Sequence, residues 1–379
     1  MERKLKIVII GSAHPLRGGG IATFNERLAQ VLSAQGHEVT ICSFSLQYPS
    51  FLFPGKSQFT DEPAPKGLRI LSIINSVNPL NWVKVGKKLR DARPDLVIVR
   101  FWLPFFGACF GTILRYVKGN KHTKVVSIID NIIPHEHRPG DKPLTNYFLK
   151  PVDAFLTMSK DVLSDLKKFV NNKPALYSPH PLYDVYGEKV TKQEAMQRLG
   201  LREGNTYLLF FGFIRKYKGL DLLLQAMADP RIKGKNIQLI VAGEYYGDEA
   251  YYQELIERLG IRSQLHLFTS FIPNDEIKYY FSAADVVVQP YRTATQSGIS
   301  QIAYHFEKPM IVTNVGGLPE IVPHGKVGLV VAPDEKEIAT AILEFEQNNA
   351  PGAFEQHIKA EKKKYEWDTF VAQLFKLIE

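Results

Sequence analysis

Short, uninterrupted apolar runs alternate with helix-length amphipathic stretches along this chain, and the alternation occurs twice. The first series predicts strands at Leu5–Ile10, Glu38–Phe44, Arg69–Ile73, Asp95–Val99, Lys124–Ile129 and Ala154–Met158, with helices at Ile21–Gln35, Trp82–Arg93, Phe106–Val117 and Asp161–Val170. The second predicts strands at Tyr207–Phe211, Ile237–Ala242, Leu265–Phe268, Val286–Gln289, Met310–Thr313 and Leu329–Val331, with helices at Leu220–Met227, Tyr251–Leu259, Asp275–Ala283, Ile299–Phe306 and Glu335–Gln347. Strands that are apolar throughout are buried on both faces, and strands separated by helices pair in parallel. Pro174 to Gly187, with Pro179 and Pro181, breaks the pattern as a linker. The expectation is an α/β chain of two domains, residues 1–182 and 183–353. A helical segment, 354–379, anchored by Trp367, returns across the first domain. Two such domains facing each other create a cleft at the carboxyl ends of their strands, where sheets of this kind bind ligands.

Composition agrees. A chain of 379 residues with 45% apolar and 23% charged side chains exceeds one ordinary core. Cys42 and Cys109 are the only cysteines, far apart and without metal-ligand spacing, which points to a reducing compartment. The N-terminus runs straight into a strand with no secretory signal. The longest uncharged apolar run, Phe101 to Leu114, contains Pro104 and Gly107. It is shorter than the ~20 residues of a membrane span. A cytoplasmic protein is expected. Lysine plus arginine exceeds aspartate plus glutamate by 47 − 39 = 8, which favours anionic partners without naming one. No zinc-knuckle, helix-turn-helix or basic-aromatic stripe points to nucleic acid.

The strand-to-helix junctions carry the chemistry. Gly11 to Gly20, containing His14, Arg17 and Gly18-Gly19-Gly20, is too long for the compact dinucleotide fingerprint, and its bunched glycines admit a ligand close to the backbone. Arg215 and Lys218 precede Gly219 at the start of a helix, where a planar fork and a mobile point charge suit phosphate. Thr295-Gln296-Ser297-Gly298-Ile299 opens another helix, whose free amides and positive dipole end favour a diphosphate. Asp130-Asn131 through His135-Glu136-His137-Arg138 gathers groups suited to orienting an acceptor hydroxyl, supplying a base or meeting a leaving phosphate. The histidines there lack the i, i+4 spacing of a helical zinc site, so no metal is expected. Trp82–Arg93 carries Lys84, Lys87, Lys88 and Arg90 around an apolar stripe. This is an ordinary solvated face in most proteins, and a peripheral contact with an anionic inner-membrane face in some.

These residues resemble the group 1 family of retaining GT-B glycosyltransferases. The matching runs are Gly18 to Ile21 followed by Gly36-His37-Glu38-Val39, Gly212 to Gly219, Val241-Ala242-Gly243, Ala284-Asp285-Val286 through Pro290, and Lys308-Pro309 through Asn314 to Glu320. The resemblance implies two Rossmann-like domains, a nucleotide diphospho-sugar held mainly by the second and a glycan or lipid-linked acceptor held mainly by the first. It places Arg215 and Lys218 on the diphosphate, with amides from Ser297, Gly298 and Ile299, and it places Phe271-Ile272 near the nucleobase. Gly19 or Gly20 would meet donor or acceptor, Asp130 the transferred sugar, and His14, Asn131, His135 and Glu136 the acceptor. No resident cofactor is implied. Asp130 stands where many members have histidine, and the family's two glutamates, expected near Ala294 or Thr295 and at Ile302 or Ala303, are missing. No Asp-x-Asp triplet occurs, so metal-independent transfer is expected. A sugar-nucleotide epimerase or hydrolase and a non-catalytic member of the fold are the alternatives. Nucleobase, sugar, acceptor and oligomeric state are not legible.

Overall fold

The computed structural model describes residues 3–16, 20–49, 58–60, 63–134, 138–247, 249–294, 297–348 and 354–379. Two compact units divide the chain: Met1–His180 together with Trp367–Glu379, and Pro181–Glu366.

The first unit holds seven strands: β1 (Lys6–Ile10), β2 (Glu38–Leu46), β3 (Arg69–Asn75), β4 (Leu96–Phe101), β5 (Lys124–Ile129), β6 (Ala154–Thr157) and β7 (Ala175–Tyr177). They form one parallel sheet in the order β3-β2-β1-β4-β5-β6-β7. Apolar residues cover both faces, as continuous hydrophobic strands require. Val97, Val99 and Phe101 of β4 face one core with Phe106, Phe110 and Phe148. Leu96 and Ile98 face the other, with Phe24 and Leu28 of the helix Gly20–Ala34. The linker expected at Pro174 to Gly187 opens with β7, whose Phe155↔Ala175 and Thr157↔Tyr177 pairing extends the sheet. Three residues after a proline carry too little periodicity to be read as a strand.

The second unit holds β8 (Thr206–Phe211), β9 (Ile237–Ala242), β10 (Leu265–Phe268), β11 (Val286–Gln289), β12 (Met310–Thr313) and β13 (Gly328–Val331), all parallel, in the order β10-β9-β8-β11-β12-β13. In each sheet the order reverses beside the first strand, so the loops after β1 and β8 open at a switch point of the doubly wound pattern.

The expected segment 354–379 divides between the units. Its first helix, Glu355–Lys362, belongs to the second unit: Ile358 and Tyr365 enter that core, and the Tyr365 ring lies 4.8 Å from Tyr304. Only from Trp367 does the chain join the first unit, where Trp367 and Phe370 pack on Phe24 at 5.1 and 5.5 Å. The linker end differs by two residues from the expected 182/183 boundary. Leu182 and Tyr183 are buried in the second core, and the Leu182 amide donates to the Tyr365 carbonyl at 2.9 Å.

Candidate active site

In the second unit β8 runs into Gly212, whose φ of 96° is the left-handed conformation glycine tolerates best. Directly over Gly212 lie the Lys218 ammonium and the Ile299 side chain. A Cβ at Gly212 would stand 2.9 Å from Lys218 Nζ and 3.4 Å from Ile299 Cδ1. Lys216–Lys218 forms a single 3-10 turn closed by Gly219 at φ 67°. A side chain at Gly219 would strike the Pro290 carbonyl, so the turn is pinned against the end of β11.

Lys218 is only 9% exposed. Burial, and next the neighbouring Arg215 charge, lower its pKa to about 8. Arg215 stacks its guanidinium 4.1 Å over the Tyr246 ring, and its buried Nε has no hydrogen-bond partner. Tyr246 is held there because its amide donates to the Ile214 carbonyl at 2.9 Å. Among the described residues no carboxylate pairs with Arg215 or Lys218. Arg292, close by in the fold, differs: it donates to Asp221 at 2.6 Å and is neutralised. Two adjacent cations, one of them buried, are thus left without an anion.

Ser297 caps the helix Gly298–His305, yet its hydroxyl makes no bond to that helix's amides. It lies 3.3 Å from the Tyr291 hydroxyl instead, with Tyr291 buried and its own ring 5.8 Å from Lys218 Nζ. The first amides of the helix therefore have no side-chain cap, the state in which a helix start accepts an anion. Gly298 has a reason of its own to be glycine: a Cβ there would come within 2.8 Å of the Tyr183 ring. Packing alone already requires glycine there.

Phe271 and Ile272 follow β10 at the far edge of the sheet; Phe271 is 47% exposed and Ile272 packs against the core. Among the described residues no hydrogen bond, ion pair or ring contact joins them to Arg215, Lys218 or Ser297. Thr295 and Gln296 lie outside the described residues. Ile302 and Ala303, at the expected second glutamate, are buried in the core, and Ala294 packs against it. The adjacent Gln301 is fully buried with neither amide atom bonded, a feature that sequence reading missed.

In the first unit Asp130 follows β5, and Arg100 clamps it through two bonds, Nε to Oδ2 at 2.6 Å and Nη2 to Oδ1 at 2.8 Å. Arg100 is 3% exposed, its guanidinium lies 4.0 Å over the Phe24 ring, and its Nη1 has no partner. The expected sugar-contacting carboxylate is thus committed to a buried ion pair. Arg100 was not anticipated, although a single charge inside the apolar strand Leu96–Phe101 was a signal. Asn131 lines a cavity with Trp102, while His14 donates its amide to Glu26 at 2.7 Å. Gly20 begins the helix Gly20–Ala34. Gly19, His135 and Glu136 lie outside the described residues. Among the described residues no group of three or more His, Cys, Asp or Glu is placed to hold a metal, and no helix is long and apolar enough to cross a membrane.

Two sheets with this strand order, and a cationic glycine turn after the first strand of the second, have the architecture of the GT-B glycosyltransferases. A family model for glycosyl transferases group 1 matches residues 191–367, and one for glycosyltransferase family 4 matches residues 18–176. An uncharacterised glycosyltransferase of Methanocaldococcus jannaschii is 30% identical, the match covering 97% of this chain and 96% of that protein. Spore coat protein SA of Bacillus subtilis is 25% identical over 83% of this chain and 81% of its own length. Among solved structures, the Anabaena protein HepE in complex with UDP superposes with a TM-score of 0.73 at 16% identity, covering 99% of each chain. The chain belongs to the group 1 glycosyltransferases.

Proposed function

We propose that this glycosyltransferase moves a sugar from a nucleotide diphospho-sugar to a hydroxyl of a glycan or lipid-linked acceptor, with retention of anomeric configuration and without a metal. The observation that carries the reading is the pair of uncompensated cations, Arg215 and Lys218, beside an uncapped helix start. Keeping a lysine buried without an anion is unfavourable, and a bound diphosphate would relieve that cost. The UDP held by the Anabaena relative supports the same ligand class.

In the transfer the bond from the anomeric carbon to the diphosphate oxygen breaks, and its electron pair leaves with the diphosphate. The acceptor hydroxyl bonds the anomeric carbon on the same face, and its proton passes to the departing diphosphate oxygen. No protein carboxylate is needed as base, which accommodates Ala294, Ile302 and Ala303 at the glutamate positions. Arg215, Lys218 and the amides of Ser297, Gly298 and Ile299 stabilise the charge that grows on the leaving group. Phe271 and Ile272 offer an apolar surface to the base, and Gly19 or Gly20 a backbone approach to donor or acceptor. Asp130 contributes a fixed acceptor for sugar hydroxyls; His14, Asn131, His135 and Glu136 serve the acceptor.

Calorimetry with UDP, GDP, ADP and dTDP tests this reading. One of them should bind the wild type, and Arg215→Ala with Lys218→Ala should abolish that binding while leaving nucleoside binding unchanged. Each single substitution should cut transfer by about 10²–10³, with activity insensitive to chelator. Equal affinities for the double variant and the wild type would refute the assignment.

A further inference from the structure

Burial lowers the pKa of three lysines among the described residues, and two of them spend their ammonium on the fold. Lys173 donates to the carbonyls of Leu149, Lys150 and Val152 at 3.0, 2.8 and 2.6 Å, closing the end of the helix Asp141–Leu149. Lys308 donates to the Ala284 and Ser282 carbonyls at 2.8 and 3.3 Å, with the Asp285 and Glu307 charges acting on it. Both nitrogens face oxygens that only accept. Lys218 has neither arrangement: its Nζ lies over Gly212 and Ile299, 5.8 Å from the centre of the Tyr291 ring, and among the described residues it meets no acceptor. The same pKa, about 8 for Lys218 and for Lys308, thus goes with opposite surroundings.

Those surroundings decide what each nitrogen can become. A neutral lysine amine adds carbon dioxide and turns into a carbamate, an anion with two acceptor oxygens. At Lys173 or Lys308 that anion would give up the bonds of the ammonium and meet carbonyl oxygens, which is unfavourable. At Lys218 it would meet a cation. Arg215 leaves a buried Nε–H without an acceptor, and the helix Gly298–His305 starts without a side-chain cap. A guanidinium and a carboxylate-like anion form charge-assisted bonds. Access is narrow, with Lys218 only 9% exposed, yet carbon dioxide is small and uncharged and sheds no hydrated charge on entry.

We propose that Lys218 is a modification site for carbon dioxide, at which its Nζ forms a carbamate that pairs with Arg215. The amine lone pair bonds the carbon, one C=O π pair moves onto oxygen, and an N–H proton goes to solvent; nothing is oxidised or reduced. Two unmatched cations thereby become a matched pair. The carbamate and a bound diphosphate exclude each other, because the modified side chain repels the anion that the ammonium attracts. Carbamate formation rests on the unmatched cations alone; its use as a brake on transfer rests on the donor reading proposed above.

Chemical trapping tests it. The full chain is equilibrated with isotopically labelled bicarbonate at about pH 8, treated with triethyloxonium to fix any carbamate as its ethyl ester, and digested for mass spectrometry. The label should appear on the Lys218 peptide at about tenfold or more the level on the Lys308 peptide, and Arg215→Gln should lower it by about tenfold, the worth of one charge-assisted hydrogen bond. Label absent from Lys218, equal on the two lysines, or unchanged in Arg215→Gln would each overturn the proposal. UDP, GDP, ADP and dTDP then separate the two readings. The one that binds should remove the Lys218 label, and a bound nucleotide that leaves the label in place would overturn the exclusion. Label on Lys218 with no nucleotide binding would keep the carbamate site and remove the donor reading instead.

Discussion

Arg100 and Lys218 are both buried cations near the carboxyl ends of parallel strands, yet the two units treat them in opposite ways. In the first unit Arg100 meets Asp130 through two short bonds, so its charge is matched inside the protein. In the second, burial, and next the like charge of Arg215, pull the Lys218 pKa down to about 8. Arg292, also in the second unit, is matched by Asp221, whereas among the described residues no carboxylate pairs with Arg215 or Lys218. A fold that neutralises one buried cation and leaves another bare uses the two differently: the matched pair fixes the position of the Asp130 carboxylate, and the unmatched pair waits for an anionic ligand.

The largest test of that contrast is stability. Arg100→Met leaves Asp130 facing a low-dielectric surrounding with no counterion, and should lower the unfolding free energy by about 3–5 kcal/mol in urea titration. Lys218→Met removes an uncompensated charge while keeping the volume, and should not lower it. A loss above about 1 kcal/mol for Lys218→Met would mean that the protein itself already satisfies the ammonium, and the contrast would fail.

The pH dependence of ligand binding sharpens the comparison with a smaller effect. A lysine whose folded pKa has dropped from 10.5 to about 8 is progressively neutral above pH 8, and a bound diphosphate restores the proton. Affinity for the nucleoside diphosphate should therefore be flat below pH 8 and fall above it by up to about tenfold per pH unit, until the pKa of the complex is reached. Stability without ligand has the opposite slope: because the unfolded chain binds the extra proton between pH 8 and 10.5, Lys218 makes folding more favourable as pH rises through that window. In Lys218→Met both slopes should flatten, which calorimetry and thermal unfolding across pH would read.

How much of this was legible in the sequence follows the range of each interaction. Continuous apolar runs such as Leu96–Phe101 and Tyr207–Phe211 announce buried parallel strands because each run carries its own periodicity. Ala175–Tyr177 is too short for any period to register, and Lys192–Leu199 carries only Ala195 and Met196 into the core, so neither was read. The split of the C-terminal segment at Trp367 is likewise a tertiary choice between two cores. Arg215 and Lys218 stood out from their place after a strand and before glycine. What makes them notable, the absence of a carboxylate, was invisible: nothing local says that Asp221 pairs with Arg292, 71 residues away, and leaves Lys218 alone. The Arg100–Asp130 clamp spans 30 residues and joins neighbouring strands, so it depends on a sheet order that no motif spells out. The packing of Gly298 against the Tyr183 ring is likewise a tertiary contact with no local sign.

The helix Pro79–Ala92 extends the comparison to charge on the surface, where the effects are smallest. Asn78 caps it by accepting from the Leu80 and Asn81 amides, and Pro79 starts it. Its apolar stripe turns inward: Val85 and Leu89 are buried, and Trp82 donates to the Asn75 carbonyl at 2.7 Å. Trp82 is therefore committed to the fold. Lys84, Lys87 and Lys88 remain exposed, with Leu80 at the helix start 82% exposed. We propose that this face gives weak, salt-sensitive contact with anionic lipid, each lysine contributing about 1 kcal/mol near the surface. Co-sedimentation with phosphatidylglycerol vesicles at low ionic strength should fall roughly fivefold for each Lys→Gln substitution and vanish at high salt, where exposed charges are screened. Trp82→Phe should leave vesicle binding unchanged. Binding that depends on Trp82, or that survives high salt, would show an apolar insertion which the inward stripe does not provide, and the lysine face would then be an ordinary solvated surface.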